Sequence, residues 1–409
     1  MKYKRSIVLL VVLFLSISSL MVPFIETGSA SEDKIEWNKS EKIEKGRFFW
    51  ADMDGNNIYI YGDILARSRD DGESWSFRYD DGHYEVENGV LYRVWMNASA
   101  YHGKTLQFCK SDDLRKEWSD PVDIFTLKGQ SGGIYGVKKI DSNLFVYSYD
   151  GYQGMWSIKV SRSSDGGETW SDPTVLASQL SIKDPFAEGI IPFKGDLYMS
   201  YYTDTGEGSE VIVSKSEDEG DSWEKKTIAE EGFNPLLRTN GDRLYLTYLK
   251  DDGVRFTKSS DGKRWNDPQK IGEFLDFNSA CNYHSITARS NLIFVGYIRH
   301  NKLKESYDFK MIYSEDKGNS WDEIGSPTGL NGNSVRPILQ INEKTLHLFW
   351  SYMGKDTFPS NEYEQYHRSA SIGALYDDGS DDLPGFTLVM FMIAVNLMVF
   401  FWRKKEVNR

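Results

Sequence analysis

The chain has 409 residues, of which 14% are aromatic, and it carries a formal net charge of −13 at pH 7. This length accommodates one large domain together with targeting segments, and the many tyrosines and tryptophans favour short strands over helices. The acidic balance excludes the basic surface that nucleic-acid binding requires, so no nucleic-acid partner is expected.

The first thirty residues have the three-part pattern of a secretory signal. A basic start at residues 2–5 precedes an apolar run at residues 7–25, and small residues at 28–30 offer a cleavage site. We therefore predict a signal peptide at residues 1–30 and export of the remaining chain. An uncleaved N-terminal anchor is the alternative interpretation of this pattern.

One short pattern, Ser-x-Asp-x-Gly-x-x-Trp, recurs six times along the body of the chain. The copies lie at Ser68–Trp75, Ser111–Trp118, Ser163–Trp170, Ser216–Trp223, Ser259–Trp265 and Ser314–Trp321. The second copy has Arg115 where the glycine belongs, and the fifth copy is one residue short. In a hairpin turn the aspartate carboxylate accepts backbone N–H bonds, the glycine takes a positive φ, and the tryptophan packs between sheets. The pattern therefore predicts structural turns with non-catalytic aspartates.

Between these turns the sequence repeats a unit of strand, tight turn, strand, variable loop and strand. Seven units occur, with the cores of their second strands at Ile58, Leu91, Leu144, Leu197, Leu244, Leu292 and Leu346. The last unit lacks a fourth strand, whereas Ile35–Ile43 resembles the fourth-strand segment that begins at Trp265. We therefore predict an all-β propeller over residues 31–375, with seven four-stranded blades closed by an N-terminal strand. Six blades are the alternative.

The recurring turn resembles the Asp box, or BNR repeat, of the sialidase-like propellers. The resemblance implies a glycoside hydrolase in which three arginines hold the carboxylate of the substrate, as the planar guanidinium fork allows. It also implies a tyrosine nucleophile activated by a glutamate, and an aspartate as the acid/base. Sialidases have six blades, so seven blades depart from that family.

The direction of the strands assigns the two faces of such a propeller. The Asp boxes follow the third strand of each unit and share one face, called the bottom, whereas the first strands begin at the opposite face, the top. A ligand site is expected at the top mouth of the central channel. The starts of the first strands contribute a largely polar ring there, at residues 47–49, 82–83, 134–135, 187–188, 234–235, 282–283 and 336–337.

The resemblance also implies roles for individual residues on this rim. By position, the catalytic residues are Asp63 as acid/base, Glu188 as the activating carboxylate, and Tyr352 or Tyr283 as the nucleophile. The residues that bind the substrate are Arg47, Arg299 and Arg336. The motif around Arg47 and the end of the second strand in the fourth unit depart from the family pattern. The expected function is hydrolysis of a glycan; a non-catalytic surface propeller that binds glycan or protein is the alternative.

The C-terminal segment predicts attachment to a membrane. An acidic linker at residues 376–385 precedes an apolar run at 386–402, which is near the minimum length for a transmembrane helix, and a basic tail at 403–409. Positive charge after the run places the tail in the cytoplasm and the propeller outside the cell. The tripeptide Pro384–Phe386 with the apolar run and basic tail resembles the archaeal PGF-type sorting signal, which implies processing to a lipid-anchored protein. An ordinary single span is the alternative.

Cysteine and histidine usage gives no indication of a metal centre. Cys109 and Cys281 are the only cysteines and fall in different repeats, so no disulfide is expected. No Cys/His spacing typical of a metal site occurs, and no cofactor is predicted.

Overall fold

Strands joined mostly by tight turns make up nearly all the regular structure in the computed structural model of the chain. The structure describes residues 35–45, 48–62, 65–78, 82–99, 103–112, 117–129, 131–153, 155–180, 187–204, 208–274, 283–301, 306–325, 327–329, 333–353 and 363–375. Within these ranges the only helix is a 3-10 turn at Gly373–Leu375, and none is long and apolar enough to cross a membrane. The predicted signal peptide, acidic linker, transmembrane helix and basic tail lie outside the described residues.

The strands form seven antiparallel sheets, six of which are four-stranded meanders. Blades 1 and 2 consist of β3 (Phe48–Asp54), β4 (Asn57–Gly62), β5 (Leu65–Ser68) and β6 (Ser76–Arg78), followed by β7 (His83–Glu87), β8 (Val90–Ser99), β9 (Gly103–Ser111) and β10 (Val122–Leu127). Blades 3 and 4 consist of β11 (Ser131–Ile140), β12 (Asn143–Tyr152), β13 (Met155–Ser163) and β14 (Thr174–Leu180), followed by β15 (Ala187–Phe193), β16 (Asp196–Asp204), β17 (Ser209–Ser216) and β18 (Glu224–Glu230). Blades 5 and 6 consist of β19 (Phe233–Thr239), β20 (Leu244–Lys250), β21 (Gly253–Ser259) and β22 (Gln269–Glu273), followed by β23 (His284–Arg289), β24 (Leu292–Asn301), β25 (Ser306–Ser314) and β26 (Asp322–Ile324).

The seventh blade joins the two ends of the propeller. Its C-terminal strands are β27 (Asn333–Asn342), β28 (Thr345–Met353) and β29 (Glu364–Ser371), and its N-terminal strands are β1 (Glu36–Trp37) and β2 (Glu41–Lys45). Both N-terminal strands pair antiparallel with β29, which places Trp37 opposite Ala370. The predicted closure by the N-terminal strand is therefore confirmed, and it covers an edge of β29 that would otherwise be open to another chain.

The first strands of the seven blades surround one axis. Contacts join β3 to β7, β7 to β11, β11 to β15, β15 to β19, β19 to β23, β23 to β27, and β27 back to β3. A closed cycle of innermost strands defines a propeller, so the prediction of seven blades is confirmed and the alternative of six is wrong. The seven residues predicted at the cores of the second strands are all buried, none more than 7% exposed.

The Asp boxes of blades 1, 3, 4, 5 and 6 form the turns that the sequence predicts, whereas residues 113–116 in the box of blade 2 lie outside the described residues. In the box of blade 3, Asp165 Oδ1 accepts hydrogen bonds from the backbone N–H of Thr169 at 2.9 Å and from Ser163 Oγ at 2.7 Å. The N–H of Gly167 donates to Ser163 Oγ at 2.8 Å. Hydrogen bonds of the same kind, chiefly from Ser74, lower the pKa of Asp70 in the first box to about 2. These aspartates therefore stay charged and hold the turn.

Each Asp box also fastens its blade to the preceding one. The Trp170 ring meets Phe108 of blade 2 edge-on, 5.3 Å between centroids, and the Trp321 ring meets Phe256 of blade 5 in the same way. Basic residues at the ends of third strands donate to box carbonyls of the next blade: Lys110 to Gly166 at 3.1 Å, Arg162 to Glu219 at 3.1 Å, and Lys258 to Lys317 at 2.8 Å. The bottom face is thus a belt of contacts between blades, which leaves the top face for loops.

Candidate functional site

The innermost strands are irregular at the top of the channel, where the sequence places the ligand site. The pairing of β19 with β20 and of β27 with β28 shifts there through β-bulges. In each bulge a residue with positive φ precedes a proline: Asn234 has a φ of 48° and Arg336 a φ of 54°. Proline has no N–H to donate to the ladder, and a left-handed non-glycine residue costs roughly 1–3 kcal/mol. The bulges therefore interrupt the regular ladder at Asn234 and Arg336, at the top of the channel.

Arg336 lies between two tyrosine rings, and we call Tyr283, Arg336 and Tyr363 the mouth cluster. The guanidinium carbon is 5.0 Å from the ring centre of Tyr283 and 5.2 Å from that of Tyr363. Nη2 of Arg336 donates a hydrogen bond to the Tyr283 hydroxyl at 3.4 Å, and the Tyr283 side chain is 39% exposed. Two aromatic faces hold the guanidinium in place beside solvent, an arrangement suited to binding a carboxylate.

Two further predicted residues lie on the same rim, on the second strands of blades 6 and 7. Arg299, in β24, is opposite Asp308, with its Nη2 3.9 Å from Asp308 Oδ2. Tyr352, in β28, is half-buried, and its ring meets that of Tyr366 edge-on at 5.8 Å between centroids. Of the predicted site residues, Tyr283 and Arg336 are in direct contact with each other.

The remaining predicted residues are incompletely described. Arg47 and Asp63 lie outside the described residues. The backbone of Glu188 is in β15, opposite Ser200, but its side chain lies outside the described part of the structure. The proposed roles of these three residues therefore stay predictions.

Trp50, which the sequence analysis did not select, lies on the innermost strand of blade 1 beside His83 of blade 2. The Trp50 ring, 37% exposed, lies 4.6 Å from that of His83 and stacks on that of Tyr61 at 5.9 Å between centroids. The unit alignment that selected His83 also places Trp50 near the start of a first strand, so the sequence contained the signal for this residue. Such a ring offers an apolar surface on which the face of a sugar can pack.

Below the mouth, equivalent positions of the first strands contribute seven residues that we call the channel ring: Asp52, Glu85, Lys138, Ile191, Arg238, Thr287 and Gln340. Each is paired in register with an aromatic residue of the second strand: Tyr59, Tyr92, Phe145, Tyr198, Tyr245, Phe294 and His347. Four of the seven ring residues are charged, two of each sign. In six of the seven blades the ring residue is polar, Ile191 being the exception, and a polar residue opposite an aromatic one is the sequence signal that indicates the ring.

The charged members of the channel ring interact closely. Lys138 Nζ lies 2.6 Å from Glu85 Oε1, and the Tyr61 hydroxyl donates to Asp52 Oδ2 at 2.9 Å. Burial is the main cause that raises the pKa of Glu85 to about 8. The charge of Asp52 adds to this shift, and Lys138 opposes it. Burial is also the main cause that raises the pKa of Tyr61 well above its usual value, and the charge of Asp52 adds to it. The Glu85 carboxyl and the Tyr61 phenol in the lower channel therefore keep their protons to a higher pH than usual.

No group of three or more His, Cys, Asp or Glu side chains in the described residues is arranged to hold a metal ion. His284, the first residue of β23, is buried and its Nε2 lies 3.1 Å from Thr247 Oγ1 of blade 5. Burial lowers the pKa of His284 to about 3, so its imidazole is neutral at physiological pH. Cys109 is buried, and Cys281 lies outside the described residues.

Three solved structures illustrate what the chain is similar to, each at 12% sequence identity. A protein of unknown function from Dyadobacter fermentans matches with a TM-score of 0.47, over 83% of this chain and 100% of its own. The α-L-arabinofuranosidase of Fusarium graminearum matches with a TM-score of 0.46, over 71% of this chain and 92% of its own. The sialidase of Trypanosoma rangeli in complex with sialic acid matches with a TM-score of 0.46, over 74% of this chain and 56% of its own. At this identity and TM-score, none of these likenesses bears on the activity of the present chain.

Similarity in sequence identifies the family. No curated protein matches the chain significantly. The model of the BNR repeat-like domain matches residues 89–326, more than half of the chain, and this range contains five of the six Asp boxes. With its seven blades and their box turns, the chain is a β-propeller that belongs to the BNR repeat-like domain family.

Proposed function

We propose that this propeller is a sialidase-like glycoside hydrolase that binds a carboxylated sugar at the channel mouth and cleaves its glycosidic bond. The observation that carries the proposal is the mouth cluster, in which two tyrosine rings hold the guanidinium of Arg336. A strained backbone at Arg336 supports a functional role, because a left-handed arginine is retained only where the surrounding structure imposes it. A planar guanidinium binds both oxygens of a carboxylate and so fixes the orientation of the sugar.

Tyr283 is the nucleophile that this geometry favours. Its hydroxyl accepts a hydrogen bond from Arg336, so a sugar whose carboxylate is bound by that arginine would have its anomeric carbon close to the tyrosine oxygen. Tyr352, the other candidate, has its ring packed against Tyr366. Glu188 as the activating carboxylate and Asp63 as the acid/base complete the proposed chemistry, with Arg47 and Arg299 as further carboxylate ligands.

The test is release of a fluorophore from a sialoside reporter by the purified full chain and by two mouth variants. Arg336→Lys keeps the charge but removes the planar fork, and we expect its KM to rise about 10-fold or more, the loss typical of a charge-assisted hydrogen bond. Tyr283→Phe keeps the ring but removes the hydroxyl, and we expect kcat to fall below detection while the sugar still binds. Tyr152→Phe is the matched control, because Tyr152 is an exposed tyrosine at the top of blade 3. Full turnover by Tyr283→Phe would exclude this residue as the nucleophile.

The second candidate function is non-catalytic binding of a glycan or protein. It is favoured by exposed aromatic side chains on the top face, where Tyr152 is 54% exposed and Trp50 is 37% exposed. Under this proposal the chain releases no fluorophore from any sialoside or furanoside reporter but is retained by particular sugars on a glycan array. Loss of that retention in Arg336→Lys would place the binding site at the mouth cluster.

We also propose that the propeller acts outside the cell, tethered by its C-terminal segment. The support is the sequence: the apolar segments at 7–25 and 386–402, and the basic residues that follow the second of them. Protease treatment of intact cells should remove the propeller, and mass spectrometry of the mature C-terminus should distinguish an intact anchor from processing at Pro384–Phe386. Protection of the propeller from protease in intact cells would refute this location.

A further inference from the structure

A second pocket opens on the bottom face, away from the mouth cluster. It lies at the first hairpin turns of blades 5, 6 and 7 and the Asp box of blade 6, and its volume is about 630 Å³. We call it the bottom pocket, and its lining residues are Thr239, Asn240, Asp242, Ala288, Arg289, Ser290, Asn291, Lys317 and Ile341. A volume of this order accommodates a mono- or disaccharide.

The walls of the bottom pocket are fixed to one another by hydrogen bonds. Asn240 Nδ2 of the blade 5 turn donates to the carbonyl of Ser290 in the blade 6 turn at 2.5 Å. The N–H of Lys317 in the Asp box donates to the carbonyl of Asn291 at 3.0 Å. The pocket is therefore preformed, and a ligand would pay little conformational entropy in binding there.

In the part of the chain that the structure describes, the bottom pocket contains a positive charge without a protein counter-ion. Lys317 Nζ lies 3.2 Å from Asp242 Oδ2, so these two charges offset each other. Arg289 is exposed, and the described residues include no hydrogen-bond or ion-pair partner for its guanidinium. The chain as a whole carries a net charge of −13. An exposed arginine without an ion-pair partner therefore creates a local positive potential that attracts an anionic group.

The bottom pocket also coincides with a break in the sevenfold repeat. Two residues separate the first and second strands in every blade except blade 5, where residues 240–243 make a longer turn. The residue equivalent to Arg289 in blade 1 is Asp54, whose Oδ2 accepts the N–H of Gly89 in the next blade at 2.7 Å. Arg289 makes no such contact with a described residue of a neighbouring blade, so its side chain is available to a ligand.

From these observations we propose that the bottom pocket is a second binding site, which takes a saccharide carrying a carboxylate or sulfate group. Arg289 binds the anionic group in this site. The Ser290 hydroxyl and the Asn291 amide bind the sugar hydroxyls, and the aliphatic side chain of Ile341 packs against the apolar face of the ring. The site lies at the opposite end of the channel from the mouth cluster, so it would hold a polymeric glycan without occupying the mouth.

Binding to the full chain, measured by isothermal titration calorimetry, tests this proposal. The Arg336→Gln variant serves as the background, so that the mouth does not contribute. The probes are a galacturonate disaccharide, galactose 6-sulfate, a neutral galactose disaccharide and inorganic sulfate. We expect at least one of the two anionic sugars to bind, and adding Arg289→Gln to weaken it about 10-fold or more, the loss of a charge-assisted hydrogen bond. Arg69→Gln is the matched control, since Arg69 is an exposed Asp-box arginine of blade 1 on the same face.

Each outcome decides the proposal. Binding that falls with Arg289→Gln, survives Arg69→Gln and prefers an anionic sugar over the neutral disaccharide supports it. Equal losses in the two arginine variants indicate a general effect of net charge and overturn it. Inorganic sulfate that binds as tightly as the anionic sugars, or binding by neither sugar, also overturns it. Turnover at the mouth is measured separately with Arg289→Gln in the otherwise unchanged chain, so a failure of this site is distinguished from a failure of the proposed function.

Discussion

The joining of blades through the Asp-box glycines can be tested by adding a single methyl group. Gly167 has a φ of +94°, and a Cβ there would lie 2.0 Å from Cε1 of Phe108 in the preceding blade. Gly195, in the first turn of blade 4, has a similar φ of +87° but no atom within 4 Å of the corresponding Cβ. Gly195→Ala therefore measures the backbone cost alone, and Gly167→Ala measures that cost together with the contact between blades.

The magnitudes follow from the two sites. A left-handed alanine costs about 1–2 kcal/mol, which is the whole effect expected for Gly195→Ala. At Gly167 the Phe108 ring, only 1% exposed and packed against Trp170, must also be displaced, and overpacking of this kind costs about 1–3 kcal/mol. We therefore expect Gly167→Ala to lower the free energy of unfolding by about 2–5 kcal/mol.

Urea unfolding followed by tryptophan fluorescence provides the measurement, because Trp170 reports on this contact. The same two substitutions in a Phe108→Ala background form a double-mutant cycle. Without the phenyl ring, the extra cost of Gly167→Ala over Gly195→Ala should disappear. Equal destabilisation by the two glycine substitutions in the parent chain would refute the role assigned to the box glycine in joining blades.

Two further predictions concern the channel ring and the blade closure. The Glu85 carboxyl has a pKa near 8 in the folded chain against 4.5 as its ordinary value, so between these pH values the folded state binds more protons, and stability should fall as pH rises. Glu85→Gln should flatten this part of a plot of melting temperature against pH, and an unchanged slope would contradict the assignment. Trp37 is partly buried against blade 7, with the guanidinium of Arg368 5.2 Å from its ring centre. Trp37→Ala should lower the free energy of unfolding by about 2–3 kcal/mol in the same urea assay, and no change would contradict closure by the N-terminal strands.

The fold was predictable from sequence because an Asp box is a local device. Its hydrogen bonds span at most four residues, so a pattern of serine, aspartate and glycine specifies the turn wherever it occurs. The imperfect box at Ser259–Trp265 shows that the turn forms even when the pattern is incomplete. Although one residue is missing, Asp261 Oδ1 still accepts the N–H groups of Lys263 and Arg264, at 2.9 and 2.8 Å. A turn of this kind tolerates the deletion because its acceptor reaches several adjacent donors.

The candidate site was only partly predictable, because its members come together through the order of blades around the axis. Alignment of the repeats placed Tyr283 and Arg336 at the starts of neighbouring first strands, and these two residues are in contact. Tyr363 was not predicted, since it precedes the third strand of blade 7 after a long loop whose length no repeat fixes. The ion pair between Lys138 and Glu85 in the channel ring was missed for a different reason: it joins two blades, so neither unit taken alone reveals it.

By itself the sequence determined the repeating unit and the segment that completes the last blade, and it favoured seven units with six as the alternative. These properties depend on turn geometry and on the alternation of apolar residues, which act over a few neighbouring positions. Only the tertiary structure decided which polar side chains meet at the mouth, which charges share the channel, and that Arg289 lies in a pocket without a counter-ion among the described residues. Those outcomes depend on distances between residues far apart in the chain, and such distances are set by the closure of seven sheets around one axis.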